Sequence, residues 1–200
     1  MKRLVIISML SLVPLMAQQQ TLLSGPFSHG GYGGPRMMVS TINGELGVLV
    51  GGHGGWVVNH ALFIGGGGYG LVNQIKAPTA QDSTQRYIDF GYGGVELGAV
   101  LASNRIVHLR VSALIGGGGL SASGRDNYYG EYDHHGSYYS DDAFFMVEPA
   151  AEMVVNMTPW MRLTAGASYR FIDGIETDSD FNDADFSGPS AMVSLNFGKF

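Results

Sequence analysis

The 200-residue chain contains no cysteine, which excludes a disulfide framework, thiolate metal sites and a lipid-modified cysteine. Charged residues are also scarce, at 14% of the chain against about 25% in an average soluble domain. The 17 acidic residues outnumber the 11 basic ones. This balance argues against nucleic acid as a partner, because nucleic-acid binding needs basic surfaces.

The first 17 residues have the pattern of a secretory signal peptide. Lys2 and Arg3 precede an apolar run from Leu4 to Leu15, and Ala17 supplies a small residue at the expected cleavage point. We therefore expect export, with residues 18–34 as a polar, glycine-rich lead-in and residues 35–200 as one domain. No later apolar run reaches the length of a membrane-spanning helix, so a membrane location would require a closed barrel.

The clearest structural signal is the alternation of apolar and polar residues between positions 145 and 171. Odd positions from 145 to 157 are apolar or proline, and the alternation resumes at 161–171 after a turn near 159. A period of two predicts strands with unlike faces, because successive side chains point to opposite sides of a sheet. One face of this predicted hairpin is apolar, and the other carries Glu148, Glu152, Arg162 and Arg170.

Similar patterns predict six further strands. Asn43-Gly44 lies between two strand-like runs and is a strong hairpin signal, because both turn positions need a positive φ. In the run 86–101 the apolar residues change parity at Gly93-Gly94, which predicts a β-bulge. The predicted strands are 35–42, 45–58, 61–75, 86–101, 106–115, 145–157, 161–171 and 190–200.

The connections between these strands alternate in length. Short turns near 59, 103 and 159 fall at one end of the predicted sheet, and long loops at 76–85, 121–142 and 173–187 fall at the other. Short periplasmic turns and long external loops are typical of outer-membrane barrels. Trp56 and Trp160 lie beside short turns, where an interfacial aromatic belt is expected. These patterns predict an all-β fold: an eight-stranded antiparallel up-and-down transmembrane β-barrel in the outer membrane.

Together with Phe200 at the end of the last strand, these features resemble the small eight-stranded outer-membrane barrels of the OmpA and OmpX type. The resemblance is architectural and covers about residues 35–200. It implies outer-membrane lipid as a partner, a monomer, and recognition by barrel-assembly machinery through the strand ending in Phe200. In that class apolar residues recur at every second position from the terminal Phe, whereas Val193, Leu195 and Phe197 lie on the other parity here.

Inward-pointing charges are the first candidate for a functional site. Side chains fill the interior of an eight-stranded barrel, and buried charges must be paired. One register of the hairpin sets Glu148 opposite Arg170, and other registers pair Glu152 with Arg162. We interpret the set as a structural network; a gated ion path, a small-ligand site and acid–base catalysis are the alternatives. The predicted network consists of Glu96, His108, Arg110, Glu148, Glu152, Arg162 and Arg170, and His53 is a further inward candidate.

The tyrosine-rich loop 121–142 is the second candidate. Tyrosine offers a large contact area at low entropic cost, so this loop is predicted to be a recognition surface. Its adjacent His134 and His135 lack a defined metal-ligand spacing, and no metal site or other cofactor is predicted, with weak metal contact as the alternative. The predicted contact residues are Tyr128, Tyr129, Tyr132, Tyr138 and Tyr139.

Three runs of glycine, at 51–55, 65–68 and 116–119, are interpreted as structural. None is followed by the Gly-Lys-Ser/Thr sequence that a phosphate-binding loop requires. Glycine within strands instead marks bends or close approach of two backbones.

The resulting functional hypothesis is a non-enzymatic outer-membrane barrel that anchors external loops for surface interactions. Three alternatives remain. The first is a narrow channel or transporter of small solutes, and the second is a lipid-modifying barrel enzyme. The third is a soluble, lipocalin-like periplasmic barrel, which would point its apolar residues inward and its charges outward.

Overall fold

The computed structural model describes residues 28–77, 86–124, 139–175 and 181–200. These residues form a closed barrel of eight antiparallel strands in sequential order, in which β8 pairs back onto β1. The predicted all-β, eight-stranded architecture is confirmed. The strands are β1 His29–Ile42, β2 Glu45–Val58, β3 Leu62–Leu71, β4 Arg86–Leu101, β5 Val107–Gly124, β6 Tyr139–Thr158, β7 Met161–Asp173 and β8 Gly188–Lys199, and a short helix α1, Asp183–Phe186, precedes β8.

Several strands are longer than the sequence pattern predicted. β1 begins at His29, so residues 29–34 belong to the barrel wall and not to the predicted lead-in. Alternation could not show this, because five of these six residues are glycine or histidine, and the pairing depends on glycines in both strands, as in Gly33 opposite Gly54. β5 and β6 likewise extend into the predicted loop 121–142, which shortens that connection to 125–138.

The β-bulge predicted at Gly93-Gly94 is wrong. The register of β4 against β3 and β5 is continuous through both glycines. Phe90, Tyr92 and Glu96 all point inward, and Val95 and Leu97 point outward. The apolar parity changes because the interior itself changes along the strand, from an aromatic core near the start of β4 to buried charges further along.

The two ends of the barrel differ in their connections. We call the end where β1 begins and β8 ends the lower mouth, and the opposite end the upper mouth. Short turns at 59–61, 102–106 and 159–160 lie at the lower mouth. The connections 72–85, 125–138 and 174–187 lie at the upper mouth, together with the two-residue turn Asn43-Gly44, whose φ angles of 48° and 76° match the predicted hairpin.

The outer and inner faces of the wall differ sharply in polarity. Large apolar side chains are exposed on the outside along every strand, for example Val50, Ile64, Leu97, Leu109, Met153, Phe171 and Val193. The inside holds the buried charges together with an apolar core towards the upper mouth, where Phe90 stacks on Phe144 and on Phe186 of α1. Within the described ranges no helix has both the length and the apolar character needed to cross a membrane.

Glycine permits the tight curvature of this wall. Gly94 on β4 lies directly opposite Gly116 on β5. A Cβ atom on Gly94 would collide with the carbonyl oxygen of Ile115, and one on Gly116 would collide with the carbonyl oxygen of Gly93. Neither position can carry a side chain without moving the neighbouring backbone, which supports the structural interpretation of the glycine runs.

Candidate functional site

The middle of the barrel contains a network of two arginines and two glutamates, which we call the central network. Its members are Arg36 on β1, Glu96 on β4, Arg110 on β5 and Glu152 on β6, and each is at most 5% exposed. They come from four strands and meet inside because all occupy inward positions at a similar height of the wall. With equal numbers of both signs, the central network is electrically balanced.

Glu152 lies at the centre of these contacts. Its Oε1 accepts a hydrogen bond of 2.6 Å from Nη2 of Arg36, and its Oε2 accepts one of 2.5 Å from Nε of Arg110. Charge-assisted hydrogen bonds of this length are the strongest kind in proteins. One carboxylate therefore joins β1 to β5 across the barrel interior.

Glu96, the second acid of the central network, also contacts both of its arginines. Its Oε1 lies 3.2 Å from Nη2 of Arg110 and 3.7 Å from Nη1 of Arg36, and its Oε2 lies 3.1 Å from Nδ1 of His53. Arg110 also donates a hydrogen bond of 3.0 Å to the hydroxyl of Tyr32. All four carboxylate oxygens of the two glutamates therefore contact an arginine or a histidine.

A second cluster lies nearer the upper mouth. The register of β6 and β7 sets Glu148 opposite Arg170, as one of the predicted registers required. The two charges are joined through Tyr92, whose hydroxyl donates to Glu148 at 2.9 Å and accepts from Arg170 at 3.4 Å. Ser168 donates a further hydrogen bond of 2.6 Å to Glu148.

Arg170 also holds the helical segment that closes the upper mouth. Its Nε donates a hydrogen bond of 2.8 Å to the backbone oxygen of Phe186, the last residue of α1. The ring of Phe186 is completely buried, and Phe181 packs edge-on against it. The backbone N–H of Asn43 donates to the oxygen of Asp185, which ties α1 to the β1–β2 turn.

The predicted network is therefore divided by the structure. Glu96, Arg110 and Glu152 lie in the central network, and Glu148 and Arg170 lie in the upper cluster. The alternative pairing of Glu152 with Arg162 is wrong, because Asn156 lies opposite Arg162 and Gly166 lies opposite Glu152. His108 and Arg162 lie beside the lower mouth, where they line a cavity together with Arg110 of the central network.

Sequence reasoning missed Arg36. It is the one Arg, Lys, Asp or Glu residue of β1 and shares its parity with Ser40, which was the available signal. Its parity also includes Met38 and Ile42, and this mixture hid the inward face. The predicted contact residues of the tyrosine-rich loop, Tyr128, Tyr129, Tyr132 and Tyr138, lie outside the described residues, as does the side chain of Tyr139.

The lower mouth is closed by the last residue of the sequence. The ring of Phe200 stacks on Tyr32 at 5.9 Å between centroids, and the guanidinium of Arg162 lies 3.9 Å from the ring centroid. An interior cavity of about 20 Å³ lies behind this ring, and one of about 10 Å³ borders the central network. Each holds roughly one water molecule.

The chain matches no protein-family model and no curated protein in sequence. Its structure is similar to that of Neisserial surface protein A, with a TM-score of 0.50 and 16% identity over 88% of this chain and all of the other. The N-terminal β-barrel domain of Pseudomonas aeruginosa OprF has a TM-score of 0.49 and 10% identity over 84% and 96% of the two chains. Ail, the attachment invasion locus protein of Yersinia pestis, has a TM-score of 0.45 and 15% identity over 85% of this chain and 97% of its own. The fold is thus that of the small eight-stranded outer-membrane barrels.

Proposed function

We propose that this protein is a non-enzymatic barrel of the outer membrane, which anchors the connections of its upper mouth on the outer side. The observation that carries the proposal is the polarity of the two faces of the wall. Leu109 and Val193 are 54% and 45% exposed on the outside, whereas Glu152 and Arg170 are 1% and 0% exposed on the inside. An apolar outer band around a polar interior is the arrangement that lipid favours.

The same polarity argues against a soluble, lipocalin-like barrel. Such a protein would expose its charges and cover its outside with polar residues, whereas β5 to β8 bury Arg110 and Glu152 and expose Leu109 and Val193 on the outer face. Trp56 and Trp160 are both about half exposed, and they lie beside the turns of the lower mouth. This position fits an aromatic belt at one membrane interface.

An anchoring role is favoured over a channel. The central network, the upper cluster and the aromatic core occupy the interior in succession. The cavities beside the central network and behind Phe200 are only about 10 and 20 Å³, and a wider recess of about 540 Å³ near the upper mouth borders the aromatic core at Phe90. α1 covers the upper mouth and Phe200 covers the lower one. An ion would have to displace paired charges and at least one aromatic ring to pass.

The surface interaction is assigned to the connection between β5 and β6. The support for this assignment is its tyrosine content, including Tyr139 at the start of β6, because tyrosine offers a large contact area at low entropic cost. Neisserial surface protein A is, by its name, a surface protein, which agrees with exposure of such a connection.

Fractionation of cells expressing the full chain tests the membrane location. We expect the protein in the outer-membrane fraction, and we expect unboiled samples to migrate differently from boiled ones on a gel, because a closed barrel resists detergent. Protease added to intact cells should cleave the protein in the connection between β5 and β6. Recovery in the soluble periplasm would overturn the proposal, and steady conductance in planar bilayers would favour the channel instead.

A further inference from the structure

The cavity behind Phe200, which we call the lower chamber, contains buried polar atoms without partners. His108 and Asn196 both line it, and they are 4% and 2% exposed. Nε2 of His108 and Oδ1 of Asn196 make no hydrogen bond. A buried polar atom without a partner is costly, so a chamber with two of them is suited to a ligand that supplies the missing bonds.

The roles of these two atoms follow from their neighbours. Nδ1 of His108 lies 3.2 Å from the carbonyl oxygen of Arg105, which can only accept, so Nδ1 carries the hydrogen and Nε2 of the neutral ring is an acceptor. Nδ2 of Asn196 donates to Oγ1 of Thr164 at 2.7 Å, and its Oδ1 has no partner. The chamber therefore presents the unfilled acceptor Nε2 of His108, which needs a hydrogen from the ligand, and beside it the unpartnered amide oxygen of Asn196.

Arg162 supplies the complementary donors and a positive charge. Its side chain lines the same chamber, and no carboxylate lies within ion-pair distance of it among the residues that the structure describes. The segments that form the lower mouth, 28–33, 54–64, 97–109, 153–165 and 193–200, contain Arg105, Arg162 and Lys199 but no Asp or Glu. An anion is therefore attracted to this end of the barrel.

We propose that the lower chamber is a binding site for a small oxyanion that still carries a proton, of the phosphate or phosphate-monoester class, and that Phe200 is its removable plug. The oxyanion accepts hydrogen bonds from Arg162, and its P–OH group donates to His108 or Asn196. With the ring of Phe200 in place the chamber holds about one water molecule, so the ring must leave before phosphate enters. Contacts of the ring with Tyr32 and Arg162 hold the plug, since β8 ends at Lys199.

This chemistry separates phosphate from its close analogues. Sulfate has the same shape but carries no proton at neutral pH, so it leaves both acceptors unfilled. Dimethyl phosphate has no P–OH group, and it therefore represents the diester of a phospholipid headgroup. Methyl phosphate carries one in its monoanion, which predominates below its second pKa of about 6, and it represents a monoester; the four anions are therefore compared at about pH 5.5. The site is expected to bind inorganic phosphate and methyl phosphate and to reject the other two.

The test is titration of the full-length folded barrel in detergent with each of the four anions, followed by phosphorus NMR line broadening for the phosphates and by calorimetry for sulfate. We expect phosphate to bind at least about tenfold more tightly than sulfate or dimethyl phosphate, the scale set by one unmatched buried hydrogen bond. Equal binding of phosphate and sulfate would mean attraction to the basic mouth alone and would overturn the proposal. Absence of phosphate binding to both the native chain and Phe200→Ala would also overturn it.

Variants identify the residues that act. Phe200→Ala should strengthen phosphate binding, because the plug no longer competes. Arg162→Gln removes both the ligand donor and the contact that holds the ring, so it is made in the Phe200→Ala chain, where a loss of about tenfold or more is expected. Arg105→Gln is the matched control, an exposed cation at the same mouth, and it should change binding less than twofold.

Gel mobility of unboiled samples shows whether each variant retains the barrel. Equal effects of the two arginine variants on phosphate binding would contradict the assignment of Arg162 as the ligand donor. The inference depends on the interior geometry and is independent of where the barrel resides.

Discussion

Arg110 and Glu152 lie directly opposite each other on β5 and β6, and Nε of the arginine donates a hydrogen bond of 2.5 Å to Oε2 of the glutamate. The other oxygen of the same carboxylate binds Arg36, which reaches it from β1 across the interior. Glu152 thus neutralises two arginines that have one other acidic neighbour, Glu96. The predictions below start from this dependence.

Replacing Glu152 by Gln should strongly destabilise the barrel. The substitution leaves Arg36 and Arg110 with a single carboxylate between them, and breaking a buried ion pair from one side costs about 3–5 kcal/mol. The free energy of unfolding, measured with urea in lipid vesicles through tryptophan fluorescence, should fall by that amount. Glu45→Gln, an exposed acid beside the β1–β2 turn, is the control and should change stability by less than about 0.5 kcal/mol. Equal effects of the two variants would mean that the central network contributes nothing.

Removing the hydroxyl of Tyr92 should also lower stability, since this group bridges Glu148 and Arg170. Tyr92→Phe keeps the ring and its packing but leaves two charged partners short of one hydrogen bond, at a cost of about 1–3 kcal/mol. The same unfolding assay applies. Tyr169→Phe, which changes a tyrosine that is 43% exposed on the outer face, should be close to neutral. A neutral result at Tyr92 would show that Glu148 and Arg170 do not depend on the bridge.

An arginine on the outer face should report the depth of each position in lipid. Val193 lies in the middle of β8, whereas Met157 lies beside the β6–β7 turn, and both are about half exposed. In vesicles Val193→Arg should destabilise by about 2–4 kcal/mol and Met157→Arg by about 0–1 kcal/mol. A soluble barrel would tolerate both arginines, so the difference between the two variants also tests the membrane proposal.

Gly94 and Gly70 offer a matched pair for testing the glycine-rich wall. A methyl group on Gly94 would press on the backbone of β5, whereas a methyl group on Gly70 meets no atom within 4 Å. Gly94→Ala should cost about 1–3 kcal/mol from overpacking, or should prevent the mobility shift of the folded barrel altogether. Gly70→Ala should change the free energy of unfolding by less than about 1 kcal/mol. Similar results for the two would mean that close backbone approach does not explain these glycines.

Much of the architecture could be predicted because every strand of such a barrel follows one rule, the alternation of residues between the outer and the inner face. Alternation located β4 at its observed bounds, and Asn43-Gly44 located the first hairpin through its need for positive φ. The start of β1 was missed because glycine carries no side chain and therefore no alternation. The supposed bulge in β4 shows the converse error, in which a change of interior composition was interpreted as a change of backbone.

The contacts of the interior were less predictable than its composition. Inward parity placed Glu96, Arg110 and Glu152 inside, but parity cannot tell which of several inward charges meet across the lumen. That depends on the relative heights of strands that are not neighbours, as for Arg36 and Glu152, which are 116 residues apart in sequence. Arg162 illustrates the same limit, because its position along β7 places it at the lower mouth, where it forms no ion pair with an acid of the described residues.

The contact between Arg36 and Glu152 also bears on the closure of the barrel. Arg36 is on the first strand, and β1 reaches its final position only when it pairs with β8. In the closed barrel Arg36 therefore reaches both Glu96 and Glu152, and the two acids each lie between two arginines. Closure of the cylinder thus completes a ring of alternating charges that no pair of neighbouring strands could make alone.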